Sequence, residues 1–199
     1  MPAARTSIFV AGDRVYLRRP RQADSTQFVV AVRLSRSLHA QWVQAPKTAE
    51  RFATYLRRFA GAKSRRTSSA THLGFLVCRA EDDALVGVFN LSEIVRGAFR
   101  SAYLGYYALA PHAGRGYMAE GLALTLRVAF QSLRLHRVEA NVQPGNRRSI
   151  SLVRAAGFTR EGFSRNYVRI AGHWRDHERW AMLAEDWRRR ERRASSRGR

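Results

Sequence analysis

Residues 101–130, SAYLGYYALAPHAGRGYMAEGLALTLRVAF, constrain this chain more than any other stretch. Tyr103, Leu104, Tyr106, Tyr107 and Leu109 are the aromatic and apolar residues that favour a strand. Pro111 ends it, because proline cannot donate to a ladder. Ala113, Gly114, Arg115, Gly116, Tyr117 and Met118 then make a glycine-bearing turn. Met118, Leu122, Leu126 and Phe130 recur at the spacing of one helix face. A strand, a glycine turn and a helix together form an anion site. The first helix amides have no internal partner, the helix dipole adds partial positive charge, and glycine lets the backbone approach a phosphate. The plainer reading is an ordinary β-turn ahead of a helix. A third is the dinucleotide fingerprint, matched by Gly114, Gly116 and Ala119 with Glu139 on a following strand. Against that third reading, the match begins late and too little chain follows for βαβ repeats.

Composition narrows the class. With 199 residues, 45% of them hydrophobic, the chain can bury one proper core. Cys78 is the sole cysteine, which excludes an intramolecular disulfide and a cysteine-based metal cluster. The N-terminal residues lack a signal-peptide apolar run, and no stretch reaches membrane-span length. A soluble, cytoplasmic protein without membrane contact is the expectation. The net charge is +21, and of the 36 basic residues only Lys47 and Lys63 are lysine. Codon usage explains arginine over lysine but not the excess over acids. Such a field favours nucleic acid, ribosomes or phosphorylated cofactors and opposes polycationic substrates.

Taken in order, residues 14–18 read as a strand closed by Pro20, and Asp24 or Ser25 as the cap of a helix carrying Phe28, Val29 and Val32. Thr48 caps a second helix to Phe59, followed by a basic, small-residue loop over 60–69 that reads as mobile. Residues 71–79 and 85–94 are strands joined at Glu81-Asp82-Asp83. Beyond the central helix come a strand over 137–142, a short helix capped by Asn146 and stopped by Gly157, and a hairpin of 159–169 with 173–183 across Ala171-Gly172. The antiparallel run before the central segment again opposes a dinucleotide fold. Residues 188–199 form a basic tail, either a frayed helix end or a disordered segment.

Three runs now stand in a fixed order: LGYYALAPHAGRGYMAEGL, LHRVEANVQPGNRRSISLVRAAGFTREG and GHWRDHERWAM. Together they resemble the GNAT superfamily and, more narrowly, the RimJ/RimL-type ribosomal-protein-alanine N-acetyltransferases. NLSEIVRG, residues 90–97, adds to the likeness with the RimJ branch. The pyrophosphate turn of that superfamily has the form Q/R-x-x-G-x-G/A. Ala113 to Met118 resembles it with Gly116 kept, while Ala113 and Met118 depart from the form at its ends. The resemblance covers residues 10–187 as one domain. It implies an α/β (α+β) GNAT fold, a mixed, mostly antiparallel twisted sheet splayed as a V and flanked by helices. It also implies acetyl-CoA as cosubstrate, its pantetheine arm in the V and its pyrophosphate on the turn, with Tyr107, Ala108, Leu109, Asn146 and Ser149 along the arm. No metal is implied.

The acceptor that the resemblance implies is a protein N-terminus, of a ribosomal protein; the net charge of +21 adds ribosomal RNA as a contact, through Arg65, Arg66 and residues 188–199. An N-terminal amine has a pKa of roughly 8, so about a tenth is neutral at pH 7 and a weak acceptor suffices. That fits a chain with no clear base. Where related enzymes carry a glutamate, alignment places Asn141 and Val168. Asp176, alternating with Trp174 and Glu178, is the candidate to hold the ammonium; its alternative is a salt bridge with an arginine. Glu93 reads as a solvated strand end and Glu139 as a surface pair with an arginine. His173 and His177 on one strand would lie about 13 Å apart, too far for one metal ion. Ser149 matches the serine that protonates the leaving thiolate in RimL-type enzymes, and Asn146 the asparagine that bonds the cofactor arm; both also suit a helix cap. A main-chain amide of a bulged LGYYAL strand, at Ala108 or Leu109, would polarise the acyl carbonyl. Tyr167 is a further donor candidate. Transfer would be direct, in a ternary complex, since Cys78 lies on an earlier strand. A small-molecule amine as acceptor, or a ribosome- or RNA-associated binding protein on the same fold, are the alternatives.

Overall fold

The computed structural model describes residues 8–59 and 70–197. Among these residues eight strands form one sheet in the order β1-β2-β3-β4-β5-β6-β8-β7. They are β1 (Ile8–Ala11), β2 (Val15–Arg18), β3 (Leu73–Arg79), β4 (Leu85–Val95), β5 (Ser101–Ala108), β6 (Arg137–Val142), β7 (Thr159–Ile170) and β8 (His173–Leu183). Every neighbouring pair is antiparallel except β5 with β6. That one parallel junction needs a crossover, which the helix α4 (Tyr117–Arg127) supplies.

The two sheet faces carry different helices. α1 (Ser25–Leu34) and α3 (Ala49–Phe59) bury Phe28, Val32, Phe52 and Tyr55 against Leu76, Val88, Tyr107 and Leu109. α2 (Arg36–His39) is a single turn between them. On the other face α4, α5 (Arg147–Ala156) and α6 (Ala184–Arg197) cover Phe75, Val77, Phe89, Leu104 and Val138. α4 approaches closely because Gly121 has no side chain: a Cβ there would lie 2.9 Å from Phe89 Cε2. Past Arg127 it widens into one π turn, Val128–Ser132, which buries Phe130.

Several expectations need revising. Asp24 precedes α1 but does not cap it; its carboxylate takes both Arg18 guanidinium nitrogens at 2.8 Å and the Arg21 amide at 2.7 Å, because Arg18 is buried and needs a counterion. β5 carries no bulge: its register with β4 runs unbroken from Ala108 to Tyr103, and the irregularity lies between Ser92 and Val95, where Glu93 has φ 49°. Residues 188–197 continue as helix α6, anchored by buried Trp187 and by Arg190 Nη2 donating to Ala155 O at 2.9 Å. The loop expected over 60–69, with Arg65 and Arg66, lies outside the described residues.

Candidate active site

The glycine turn sits at the C-terminal end of β5. Gly114 and Gly116 have φ of 82° and 81°, a left-handed conformation that glycine adopts without strain. Inside α4 the bonding starts with Ala119 and Glu120, whose amides donate to Gly116 O at 3.1 and 3.3 Å. The Tyr117 and Met118 amides therefore face out of the helix. Ala113, Gly114 and Arg115 complete the turn, with Gly114 and Arg115 exposed. Met118 turns its side chain inward onto Gly87, so it meets the turn only through its amide.

A second cation stands over this turn. Arg14 Nη1 donates to Arg115 O at 3.3 Å, its guanidinium lies 5.3 Å from the Tyr117 ring centre, and Nη2 is 3.1 Å from where a Gly116 Cβ would be. Glu120 holds it there, accepting from the Arg14 amide at 2.7 Å, the Val15 amide at 3.1 Å and Arg14 Nε at 3.2 Å. Burial alone would raise the Glu120 pKa, but these donors outweigh it and hold the carboxyl below its usual range. Separated from the turn by a hundred residues of chain, Arg14 gave no local sequence signal.

The V opens beside the turn. β5 and β6 pair only over Ser101–Tyr103 with Arg137–Glu139, after which β6 stays with β8 and leaves β5 with a bare edge. The Leu109 amide donates to Val86 O at 2.9 Å. By ladder alternation, Tyr107 and Leu109 direct their amides at β4, while Leu104, Tyr106 and Ala108 direct theirs into the cleft. Of the two amides expected to polarise a carbonyl, only that of Ala108 is in place.

One wall of the cleft is the start of α5. Asn146 Oδ1 accepts from the Ser149 amide at 3.1 Å, and Ser149 Oγ lies 2.5 Å from Tyr106 Oη. Burial pushes the Tyr106 phenol up to about 12, with the Ser149 contact opposing, so it stays protonated. The other wall is a strap. Gln143 Nε2 donates to Gln41 O at 3.1 Å, and the Trp42 ring lies 3.2 Å from where a Gly145 Cβ would be. Under this strap, buried His39 donates from Nε2 to Ala108 O at 2.8 Å. Burial lowers its pKa, against the Ala108 hydrogen bond, so the ring is neutral.

His39 Nδ1, Tyr107 Oη and Asn141 Oδ1 are buried polar atoms with no hydrogen-bond partner. The parallel register puts Tyr107 and Asn141 on the same sheet face, that of α1 and α3, on the two arms of the V. His39 packs edge-on against Tyr107, ring centres 5.2 Å apart. Opposite Asn141 on β8 stands Arg179. Buried polar atoms without partners are costly; Tyr107 is turned into the α1/α3 core toward Tyr55, which leaves His39 Nδ1 and Asn141 Oδ1 as the acceptors a polar ligand in the cleft could satisfy. Sequence reading singled out neither His39 nor this cluster.

The remaining candidates lie elsewhere. Asp176 sits beyond the last β6-paired residue, Glu178, and accepts the Asn166 amide at 2.8 Å, which pins the irregular stretch between Ser164 and Val168. No arginine pairs with it among the described residues. Glu93 is paired with His72 at 3.2 Å and Arg58 at 3.5 Å, so it is not a merely solvated strand end. Glu139 pairs with Arg137 at 2.8 Å. Tyr167 packs against the His177 ring at 5.9 Å. Cys78 is buried on β3, where desolvation pushes its thiol pKa up. Among the described residues, no group of three or more His, Cys, Asp or Glu could hold a metal ion.

Comparison with known proteins agrees with this geometry. Residues 14–159 match the model of an acetyltransferase (GNAT) domain. Over 112 residues, 56% of this chain, it is 42% identical to "Probable N-acetyltransferase YjcK" of Bacillus subtilis. Over 107 residues, 54% of this chain, it is 38% identical to the "[Ribosomal protein uS5]-alanine N-acetyltransferase" of Escherichia coli. These segments span 62% and 55% of the two relatives' own lengths. The solved structure "Mycobacterium smegmatis RimJ in complex with CoA-disulfide" superposes with a TM-score of 0.76 at 27% identity, covering 86% of this chain and 83% of that one. The match covers most of the chain in both sequence and fold, and the chain belongs to the GNAT acetyltransferase family.

Proposed function

We propose that the protein is an acetyl-CoA-dependent N-acetyltransferase that acts on a protein N-terminal α-amine, of the ribosomal-protein-alanine type, by direct attack in a ternary complex. The observation that carries the reading is that the unpartnered buried acceptors on the two arms of the V, His39 Nδ1 against β5 and Asn141 Oδ1 on β6, are neutral. The ladder partner of Asn141 on β8 is Arg179, a cation and not a carboxylate. Lysine, with a pKa of roughly 10.4, and polyamines would need a carboxylate there, whereas an α-amine of pKa roughly 8 is deprotonated often enough for neutral acceptors to serve.

The residues present fit acetyl-CoA. The outward amides of Tyr117 and Met118, with Arg14 and Arg115, would hold its diphosphate. The bare β5 edge at Tyr106 and Ala108 would pair with the amides of the arm, and Asn146 lies on the facing wall. Acetyl-CoA supplies an activated thioester when bound. The Ala108 amide is the donor for the acyl oxygen, and His39, by fixing the Ala108 carbonyl, holds that peptide segment in place. His39 Nδ1 and Asn141 Oδ1 accept hydrogens from the incoming amine. Ser149 Oγ, beside the Tyr106 hydroxyl, would give its proton to the departing sulfur and recover through solvent the proton that the attacking amine releases as the amide forms. Cys78, buried under α1 and α3, takes no part. Asp176 is retained only as a contact for the ammonium on approach.

The ribosomal acceptor is supported by the likeness to the "[Ribosomal protein uS5]-alanine N-acetyltransferase" of Escherichia coli and by the charge of +21. A basic enzyme repels a basic free ribosomal protein, and ribosomal RNA attracts both. The test is acetylation of one Ala-starting N-terminus, as free peptide and on ribosomal particles, across a salt series. Preference for the particle at low salt, lost as salt rises, supports the reading. Equal use of both at every salt concentration overturns the ribosomal setting and leaves acetyl transfer intact.

A further inference from the structure

At the opposite end of β5 from the glycine turn lies a second concavity, of about 480 Å³. Arg100, Arg134 and Arg188 stand on its rim together with His136. Its floor is apolar, formed by Phe130 and Leu135. The three arginines are exposed, and among the described residues none of their side chains has an ion-pair or hydrogen-bond partner. Glu185 is the one acid on the lining. Three guanidiniums against one carboxylate leave the pole net positive, and planar guanidinium groups match phosphate oxygens in pairs.

Two backbone features build this rim. Arg100 has φ 42° and Arg134 φ 54°, a conformation that few non-glycine residues adopt. The Arg100 carbonyl accepts from the His136 amide at 2.6 Å and the Arg137 amide at 3.2 Å, which ties the loop before β5 to the loop before β6. Beside Arg100 in sequence, Phe99 is 72% exposed, a large ring facing water. α6 runs on from the rim through Arg192 and Arg193, also exposed.

We propose that this pole is a docking site for single-stranded RNA, with Arg100, Arg134 and Arg188 on backbone phosphates and Phe99 stacking on an unpaired base. An exposed ring one residue from the rim arginine Arg100 favours RNA loops or single strands over a duplex, whose bases are already stacked. An acidic protein would not call for a stacking ring. The site is separate from the V, so it stands whichever amine the enzyme acetylates.

The test uses the full chain and a 12-nucleotide end-labelled single-stranded RNA, read by fluorescence anisotropy in a salt series. The pole variant is Arg134→Glu/Arg188→Glu, and Arg51→Glu/Arg57→Glu on α3 is the control with the same charge change. The pole variant is expected to bind at least tenfold more weakly than the control, with a log–log salt slope shallower by roughly 1.4, two phosphates at about 0.7 each. Phe99→Ala should weaken binding by about tenfold with the slope unchanged. Acetyl transfer to a free peptide should be the same in all variants, which separates this proposal from that of the V. Equal loss in pole and control variants overturns it. So does binding to phosphatidylglycerol vesicles or to a poly-glutamate peptide as tight as to the RNA.

Discussion

Ser149→Ala and Tyr106→Phe, made singly and together, distinguish a proton-delivering pair from a helix-cap contact. The oxygens stand 2.5 Å apart, and Tyr106 Oη also donates to Ser149 O at 3.3 Å. With its pKa pushed up to about 12, the phenol keeps its proton at neutral pH, and donating it to Ser149 Oγ would free the serine's own proton for the cleft. If Ser149 delivers the proton to the leaving sulfur, as proposed, Ser149→Ala should lower kcat by roughly ten- to a thousandfold. Acetyl-CoA affinity should barely change, because the turn amides are untouched. Tyr106→Phe removes one hydrogen bond worth about 1 kcal/mol, which corresponds to roughly a fivefold fall in kcat. Because Tyr106 acts through Ser149, the double variant should be no slower than Ser149→Ala alone. Steady-state release of the free thiol gives kcat and KM for each variant, and thermal melts confirm folding. If Ser149→Ala keeps full activity, the serine is only part of the α5 cap. If the two losses multiply in the double variant, Tyr106 does not act through Ser149.

Gly116→Glu should abolish acetyl-CoA binding while the chain stays folded, since the new side chain meets Arg14 3.1 Å from its Cβ and brings negative charge to an anion turn; unchanged affinity by calorimetry would exclude the turn. Asp24→Ala leaves the Arg18 guanidinium, only 8% exposed, without its counterion and should cost about 3–5 kcal/mol in urea denaturation. An Arg18→Leu/Asp24→Leu chain should recover most of that loss, and a double variant as unstable as the single one contradicts the ion-pair argument. His39 is neutral in the folded chain with its pKa lowered, so below about pH 6.5 the unfolded chain binds the extra proton and stability falls with pH through the window down to the folded pKa. His39→Leu should flatten that slope and lower kcat, and an unchanged pH–stability curve contradicts the burial argument.

The parts of this fold that could be read from sequence are those with local signals. Met118, Leu122 and Leu126 sit on one helix because their spacing says so, and Gly157 ends α5 at φ 94° because that conformation favours glycine. The hairpin of β7 and β8 turns at Ala171-Gly172 for the same kind of reason. Membership of the family was legible too, since its markers stand in order along the chain. What could not be read depends on distance. The amides open to the cleft follow from the β4–β5 register, which composition does not specify. Arg14 reaches the turn only because Glu120 holds β2 against α4. α2, RSLH, is too short for periodicity, so His39 stayed hidden. Asp24 looked like a cap until the burial of Arg18 gave it a stronger partner.

The measurement closest to the central claim is acetyl transfer from acetyl-CoA to a peptide panel, with the modified nitrogen located by mass spectrometry. The panel holds Ala-, Ser- and Met-starting peptides that each carry an internal lysine, an Ala-starting peptide with a blocked α-amine, and spermidine. The account predicts acetylation at the α-amine, with Ala or Ser preferred, and none on the blocked peptide or on spermidine. Turnover on the lysine side chain or on spermidine, with the free α-amines untouched, would contradict it.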